Sequence, residues 1–337
     1  MKFNILCVLL LGSLVTSSCK KEKTAEEPID YSGVYIAGMQ WDSVGGNDRA
    51  CYWKNGKITI HELPNPNRNY YANALAVAGP DVYTAGYENG TSMWQAQVWK
   101  NGKHLYSLGD VYGEVRSIAV LGSDIYTGGQ LYEAPIRHAL YWKNSSGATV
   151  LASDNNGRAI INGICAAGSD LYAAGYAGNN GKLWKNGTEI SLPNSTGCEF
   201  KAIAVSGTDV YVTGNIGART IRYWKNNSHT DITVPAGREI YSTGIAVENN
   251  DVYIAGWEST GTVLIAKYWK NGNEVVLGDG VRHSYTSGIA VKDGKVYVAG
   301  NQVAANTTFP YYATLWEDGV AKVIGTRNSR ATAVVVK

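Results

Sequence analysis

One short motif, Tyr-Trp-Lys-Asn-Gly, recurs along the chain and constrains the fold more than any other feature. Its clearest copy is residues 268–272, and six degenerate copies accompany it. Successive tryptophans are 46, 43, 42, 40, 45 and 47 residues apart, and they are Trp53, Trp99, Trp142, Trp184, Trp224, Trp269 and Trp316. A self-similar period of this length is the signature of a repeat architecture. The sequence therefore predicts seven copies of one unit.

Each unit carries signals for four short strands, which we call a to d in chain order. Strand a is an apolar triplet such as residues 289–291, a tight turn follows it, and strand b has the pattern Val-Tyr-x-Ala-Gly. Strand c ends on the Tyr-Trp pair. Asn-Gly then forms a hairpin to strand d, because both residues accept the positive φ angles of that turn. Four strands in about 46 residues match one blade of a β-propeller.

The two ends of the repeat region complement each other. The first unit begins with a strand b at Val34, without an apolar triplet before it, whereas residues 332–336 form a strand a with no strand b after them. Pairing these halves closes the ring and leaves no open sheet edge. We therefore predict an all-β, seven-bladed β-propeller with four-stranded antiparallel blades, closed by the C-terminal strand a against the N-terminal strands b to d.

The N-terminal segment is predicted to be a targeting signal rather than part of the fold. Lys2 precedes an apolar run at residues 5–15, and small residues lead to Cys19. The run is too short to span a bilayer, which needs roughly 20 apolar residues. The small residues directly before Cys19 resemble a bacterial lipobox. This resemblance implies that Cys19 becomes the diacylated first residue of a lipoprotein.

The charged tract that follows is similar to the tether of Bacteroidota surface lipoproteins. The predicted organisation is a signal peptide at 1–18, a lipidated cysteine and tether at 19–30, and the propeller at 31–337. The resemblance implies an outer-membrane-anchored protein on the periplasmic or cell-surface side, held by its N-terminal lipid alone. The alternative is ordinary secretion with Cys19 unmodified.

Composition narrows the classes of partner. The chain has 30 Lys and Arg against 28 Asp and Glu, and its sequence offers no basic patch for nucleic acid. Beyond the N-terminal segment three cysteines remain, so at least one is unpaired, and none has the spacing of a metal ligand. Cys165 stands in an apolar triplet, which indicates a core position. We predict no metal, no cofactor and a monomer.

The predicted loops define two unlike faces. The a–b and c–d turns are short and nearly constant, whereas the b–c and d–a connections vary, and variable loops on a rigid scaffold usually carry binding. Aromatic residues suited to a sugar ring or a protein partner fall on the variable side. Those assigned to b–c loops are Trp41, Tyr87, Trp94, Tyr176 and Trp257, and those assigned to d–a connections are Tyr71, Tyr241 and Tyr285. The alternative is that several only cover the tops of their own blades.

A polar position lies two residues before each apolar triplet. These seven residues are Asn73, Arg116, Asn162, Lys201, Thr243, Ser287 and Thr332. A second set lies two residues further back: Tyr71, Glu114, Ile160, Glu199, Tyr241, Tyr285 and Arg330. Because alternate residues of a strand share a side, we predict two polar rings around the channel mouth, suited to a neutral polar ligand. The alternative is a set of solvated residues without a ligand.

The repeat resembles known families only at scaffold positions. Trp-x-Asn-Gly, the Ile-Ala triplet and the hydrophobic-Tyr-x-Ala-Gly strand are similar to extracellular HAF-type repeats and to propeller lipoproteins of Bacteroidota, over residues 31–337. The His and Trp-Asp marks of WD40 blades and the glycine pairs of kelch blades are absent from the sequence. The resemblance therefore implies a fold and brings no catalytic residues with it.

Signals for catalysis are weak. The sequence has no H-E-x-x-H, G-x-S-x-G or P-loop motif. Paired acids for a hydrolase or lyase would have to come from Asp110, Glu114, Glu199 and Glu239, with His283 nearby. The sequence favours a non-catalytic binding or scaffolding lipoprotein whose variable face recognises a glycan or a protein. The alternatives are a carbohydrate-active enzyme with acids at the channel mouth and a purely structural surface protein.

Overall fold

The structure, a computed structural model, describes residues 32–90, 94–109, 112–304, 307 and 309–337. The predicted signal peptide, Cys19, the tether and Asp110 lie outside the described residues. Within the described residues 28 strands form seven four-stranded antiparallel sheets. No helix among these residues has the length and apolar character needed to cross a membrane.

The strands follow the chain in order, four to a blade. Blade 1 begins with β1 (Val34–Asp42), β2 (Asn47–Lys54) and β3 (Lys57–Ile60). Blade 2 has β4 (Asn69–Ala78), β5 (Asp81–Asn89), β6 (Trp94–Lys100) and β7 (Lys103–Leu108). Blade 3 has β8 (Gly113–Leu121), β9 (Asp124–Glu133), β10 (Ile136–Lys143) and β11 (Ala148–Asp154). Blade 4 has β12 (Ala159–Ala167), β13 (Asp170–Ala177), β14 (Asn180–Lys185) and β15 (Thr188–Ile190).

The remaining blades repeat this order. Blade 5 has β16 (Cys198–Ser206), β17 (Asp209–Ile216), β18 (Thr220–Lys225) and β19 (Ser228–Thr233). Blade 6 has β20 (Glu239–Glu248), β21 (Asp251–Ser259), β22 (Leu264–Lys270) and β23 (Asn273–Val276). Blade 7 has β24 (Ser284–Lys292), β25 (Lys295–Val303), β26 (Tyr311–Glu317) and β27 (Val320–Val323). The last strand, β28 (Ser329–Val336), belongs to blade 1.

Ring closure follows the predicted scheme. Strand β28 pairs antiparallel with β1, so the sheet of blade 1 has the order β28-β1-β2-β3. Two backbone hydrogen bonds between Gly33 and Lys337, of 3.0 and 3.1 Å, continue the ladder past the strand ends. The predicted all-β, seven-bladed propeller and its closure are both confirmed.

The repeated tryptophans are the centres of the blade-to-blade cores. Seven clusters of buried apolar residues lie between adjacent blades, and each contains one repeat tryptophan. All seven indoles are at most 2% exposed. Several also donate Nε1–H to the connection that leaves the preceding blade, as Trp99 does to Glu62 O at 2.9 Å. A buried aromatic of this size covers about 150–250 Å², so these residues hold the blades together.

The face that carries the a–b and c–d turns, here called the plain face, is built from one repeated set of contacts. In blade 2, Asn101 accepts the backbone N–H of Val82 and donates to Asp81, while Lys100 pairs with Asp81 at 2.7 Å and lies over Tyr83. Blades 3 to 6 repeat all four contacts. Asn101 and Gly102 have φ values of 53° and 79°, which fits the predicted Asn-Gly hairpin.

A β-bulge interrupts every strand a at the same place. The pairing of β4 with β5 runs from Ala72–Gly86 to Ala74–Ala85 and skips Asn73. The other six blades skip one residue in the same way. The bulge also brings a carbonyl of strand a onto the strand-b glycine. A Cβ placed on Gly86 would fall inside 3.0 Å of Tyr71 O, which is why this position is glycine in every blade.

Candidate functional site

The seven bulge residues, which we call the mouth ring, converge on one cavity. They are Asn73, Arg116, Asn162, Lys201, Thr243, Ser287 and Thr332. All seven line a cavity of about 460 Å³, the mouth cavity, together with Tyr241, Ser242, Trp257 and Thr286. A bulge turns its extra residue out of the ladder, so the backbone itself directs one polar side chain per blade into the channel mouth.

Three side chains of the mouth ring donate hydrogen bonds that tie neighbouring blades together. Asn73 Nδ2 donates to Val115 O at 2.9 Å and Asn162 Nδ2 donates to Phe200 O at 2.7 Å. Thr332 Oγ1 donates in the same way to Ala72 O at 2.6 Å. Each acceptor directly precedes the bulge residue of the next blade. The amide oxygens of Asn73 and Asn162 have no partner within the described part of the chain and are available as acceptors at the cavity.

The two cations of the ring are neutralised by acids beside them. Arg116 Nε lies 2.8 Å from Glu114 Oε1, and Gln130 donates to Glu114 Oε2 at 2.9 Å. Lys201 Nζ lies 2.7 Å from Glu199 Oε2, and Arg158 pairs with the other oxygen. Each cation of the ring is thus paired with an acid, although Glu199 is shared with Arg158 and balances only one of its two partners. The mouth presents mainly amides, hydroxyls and paired charges, which suits a neutral polar ligand.

One stacked aromatic pair lines the mouth cavity, and a second lies on blade 2. Tyr241 and Trp257 stack with ring centroids 4.3 Å apart, and both line the cavity. Tyr71 and Tyr87 stack at 4.9 Å on blade 2. Burial, followed by a hydrogen bond to Glu239, raises the pKa of Tyr241, so its phenol remains a donor at neutral pH. The cavity wall therefore offers one flat apolar surface beside polar groups.

The structure separates the ten predicted ligand residues into groups. Arg116, Lys201, Tyr241 and Trp257 line the mouth cavity. Tyr71, Tyr87 and Trp94 form a line of ring contacts on blade 2, Tyr176 lies under Lys201 at 5.6 Å, and Tyr285 packs edge-on against Tyr311. Trp41 lines a different groove, on blade 1.

Two expectations about this face were wrong. The aromatics assigned to connections lie within strands, for example Trp257 in β21 and Tyr241 in β20, because pairing continues past the bulge. The second predicted polar ring does not form, since Ile160 and Glu114 are only 4% and 5% exposed. Both errors have one cause, because an inserted bulge residue breaks the alternation of sides on which the prediction rested.

The candidate catalytic residues make structural contacts. Both oxygens of Glu114 and of Glu199 are bound by neighbouring cations or an amide. Glu239 accepts from Tyr241 Oη at 3.1 Å, and His283 Nδ1 accepts the backbone N–H of Leu264 at 3.2 Å. No group of three His, Cys, Asp or Glu residues in the described ranges is placed to hold a metal ion. The three described cysteines, Cys51, Cys165 and Cys198, are free thiols.

Sequence reasoning did not predict that the residues of the blade 1 groove lie together. Trp41 and Asn328 line both a cavity of about 910 Å³ and one of about 350 Å³. His61 and Arg327 line the larger cavity, and Phe309 and Arg330 line the smaller. Apart from Trp41 in β1 and Arg330 in β28, these residues come from connections, so no single spacing in the sequence brings the set together.

The strand pairing defines the chain as a seven-bladed β-propeller. No protein-family model matches the sequence, and no curated protein matches it. The chain is similar in fold to the β-propeller domain of Myceliophteria thermophila Cps50 (Swd1), with 11% identity, a TM-score of 0.48 and coverage of 79% of this chain and 92% of that one. It is also similar to the computationally designed Ika8 protein, with 15% identity, a TM-score of 0.44 and coverage of 79% and 90%.

Proposed function

We propose that this propeller is a non-catalytic binding module that holds a neutral saccharide at the mouth of its channel. The observation that carries the proposal is the convergence of seven bulge side chains on one cavity in which each of the two cations is paired with an acid. A propeller is a rigid frame, and one polar position per blade gives a preformed ring of donors and acceptors. Preformed sites lower the ordering cost of binding.

The composition of the mouth favours a sugar over other neutral ligands. A saccharide has hydroxyls that pair with amide oxygens and side-chain hydroxyls, and it has C–H faces that pack on aromatic rings. The mouth offers the first set through Asn73, Asn162 and Ser287 and the second through Trp257. A neutral loop of a partner protein would use the same groups, and the experiment separates these two ligands.

The test is a screen of neutral polysaccharides against the wild-type protein and a Trp257→Ala variant. Trp94→Ala is the matched control, because Trp94 is 40% exposed and lies outside the mouth cavity. We expect one glycan to bind wild type and the control and to bind the Trp257 variant about tenfold more weakly, a loss of about 1.4 kcal/mol. Equal binding by all three proteins would refute the mouth site. If no glycan binds, the wild-type protein is crosslinked in the native envelope. A protein that crosslinks to wild type but not to the Trp257→Ala variant would identify a protein ligand instead.

We also propose that the protein is held at the cell envelope by a lipid on Cys19. The support is the apolar run and the small residues before that cysteine. Cys19→Ala is expected to move the protein from the membrane fraction to the soluble fraction and to abolish labelling by a palmitate analogue. Lys20→Ala is the control, because it leaves the acceptor thiol in place. Unchanged labelling of the Cys19 variant would rule out this anchor.

A further inference from the structure

The groove around Trp41, here called the Trp41 groove, is separate from the mouth cavity. Its two cavities, of about 910 and 350 Å³, share Trp41 and Asn328 as lining residues. None of the residues that line the mouth cavity lines either of them. Trp41 is 39% exposed, so a large aromatic surface lies open at the junction of the two cavities.

The smaller cavity is aromatic on several sides. Phe309 and Tyr311 line it with Trp41, and Phe309 packs edge-on against Tyr311 at 5.5 Å. Phe309 is 54% exposed. Aromatic rings that are held in place yet open to solvent favour a ligand with a flat apolar face.

Two buried polar atoms at the groove have no hydrogen-bond partner within the described part of the chain. They are Asn328 Oδ1 and His61 Nδ1. His61 is 4% exposed, its Nε2 lies 3.3 Å from Thr84 Oγ1, and burial lowers its pKa to about 3, so its ring is neutral. A buried polar atom without a partner is costly. Either atom can pair with a hydroxyl group, since a hydroxyl both donates and accepts.

Three arginines and two aspartates line the groove, so its formal net charge is +1. Asp48 lines the smaller cavity and accepts the hydroxyl of Tyr71 at 2.7 Å. Arg330 lies over the Tyr311 ring at 4.4 Å and lines the smaller cavity, and Arg327 lines the larger one. Neither forms an ion pair with any described residue. Arg49, by contrast, is neutralised by Asp42 at 3.1 Å. Guanidinium groups bind carboxylates through paired, charge-assisted hydrogen bonds, so the groove differs from the neutral mouth in the ligand it suits.

We infer that the Trp41 groove binds an acidic oligosaccharide of the uronic acid type, which lies across Trp41 with one sugar ring stacked on the indole. Carboxylates of the chain meet Arg330 on one side and Arg327 on the other, and its hydroxyls meet Asn328 and His61. This site is independent of the saccharide proposed for the channel mouth.

The test is titration calorimetry of the full-length protein in detergent with an oligogalacturonate, its neutral methyl ester and a poly-glutamate of equal charge. We expect the oligogalacturonate to bind at least about tenfold more tightly than the other two. Trp41→Ala and Arg330→Gln should each weaken it about tenfold, about 1.4 kcal/mol in affinity terms. Circular dichroism checks that each variant is folded.

Matched controls keep the two binding sites distinguishable. Trp94→Ala has nearly the same exposure as Trp41, and Arg219→Gln removes an exposed arginine elsewhere. Both, and Trp257→Ala at the mouth, should bind the oligogalacturonate as wild type does. The inference fails if no oligogalacturonate binds, if the ester or poly-glutamate binds as tightly, or if a folded Trp41→Ala variant binds normally.

Discussion

At the scale of single residues, the strand-b glycines and the mouth ring both result from the β-bulge in strand a. The bulge that turns Asn73 into the channel also brings Tyr71 O onto Gly86, where a methyl group has no room. The same bulge therefore produces both the inward-facing polar residue and the close contact at the glycine. The glycine of Val-Tyr-x-Ala-Gly therefore marks, in sequence, the place where the opposite strand presents a residue to the mouth cavity.

Gly86→Ala should destabilise the fold and disturb the mouth. The new Cβ meets backbone rather than a mobile side chain, so the bulge itself has to shift. Overpacking of this kind typically costs about 1–3 kcal/mol, measurable as a lower urea midpoint. Gly147→Ala is the control, because nothing lies within 4 Å of its added Cβ and its φ is not positive. Equal midpoints for the two variants would contradict the bulge argument.

At the scale of the strand and its turns, the plain face repeats one ion-pair arrangement, and blade 7 reverses it. Lys295 takes the place of the aspartate and Glu317 the place of the lysine, at 3.7 Å, so attraction is kept with the signs exchanged. Asp318 replaces the asparagine and still accepts the N–H of Val296 at 2.8 Å. Blades 2 to 7 therefore all keep an ion pair across the two turns, although the residues that form it differ in blade 7.

Acid should weaken these turns together. Hydrogen bonds from the neighbouring lysine, then from the asparagine, hold the pKa of each aspartate below its usual 3.8; the five are Asp81, Asp124, Asp170, Asp209 and Asp251. A carboxyl pKa lowered by folding stabilises the native state above pH 3.8, and this contribution is lost as the pH falls through the native value. The urea midpoint should therefore drop as the pH falls below about 4.

A variant that lacks four of these five carboxylates isolates this effect. Replacing Asp81, Asp124, Asp170 and Asp209 with asparagine should flatten the acid limb of the midpoint curve, while the same number of changes at other exposed carboxylates should leave it steep. A steep acid limb in the first variant would show that other carboxylates control the acid response.

The repeat made the blades predictable, whereas one inserted residue per strand hid the details of the site. Spacing alone identified the seven mouth-ring positions, because all of them share one offset from the apolar triplet. The strand-b glycine accompanies the bulge but does not by itself indicate an inserted residue, so strand lengths and the second ring were mispredicted. His61 and Asn328 lie in two connections far apart in sequence, and only the folded chain shows that they line one cavity.

At the scale of the whole molecule, one strand holds the ring closed. β28 supplies the innermost strand of blade 1, and its residues join the core between blades 7 and 1 through Ala331 and Val334. No other blade depends on a strand so distant in sequence. The integrity of the ring therefore depends more on the last residues of the chain than on any loop.

Removal of residues 332–337 should lower the melting temperature by about 10 °C or more, since a change of 1 kcal/mol moves the midpoint of a large domain by about 2–4 °C. The loss exposes the edge of β1 and removes Thr332 from the mouth ring. Differential scanning fluorimetry gives the measurement, and removal of residues 20–25 is the control of equal length. A melting temperature unchanged by the C-terminal truncation would refute the role of β28.

Because β28 closes the ring, blade 1 can be completed only at the end of protein synthesis. Strands β1 to β3 are made first, yet their sheet lacks its innermost member until β28 has left the ribosome, after six other blades. Until then the edge of β1 has no partner, and an unpaired strand edge is a template for pairing with other chains. Blade 1 is thus the first begun and the last finished, and a nascent chain halted before β28 exposes the strand edge that the complete ring conceals.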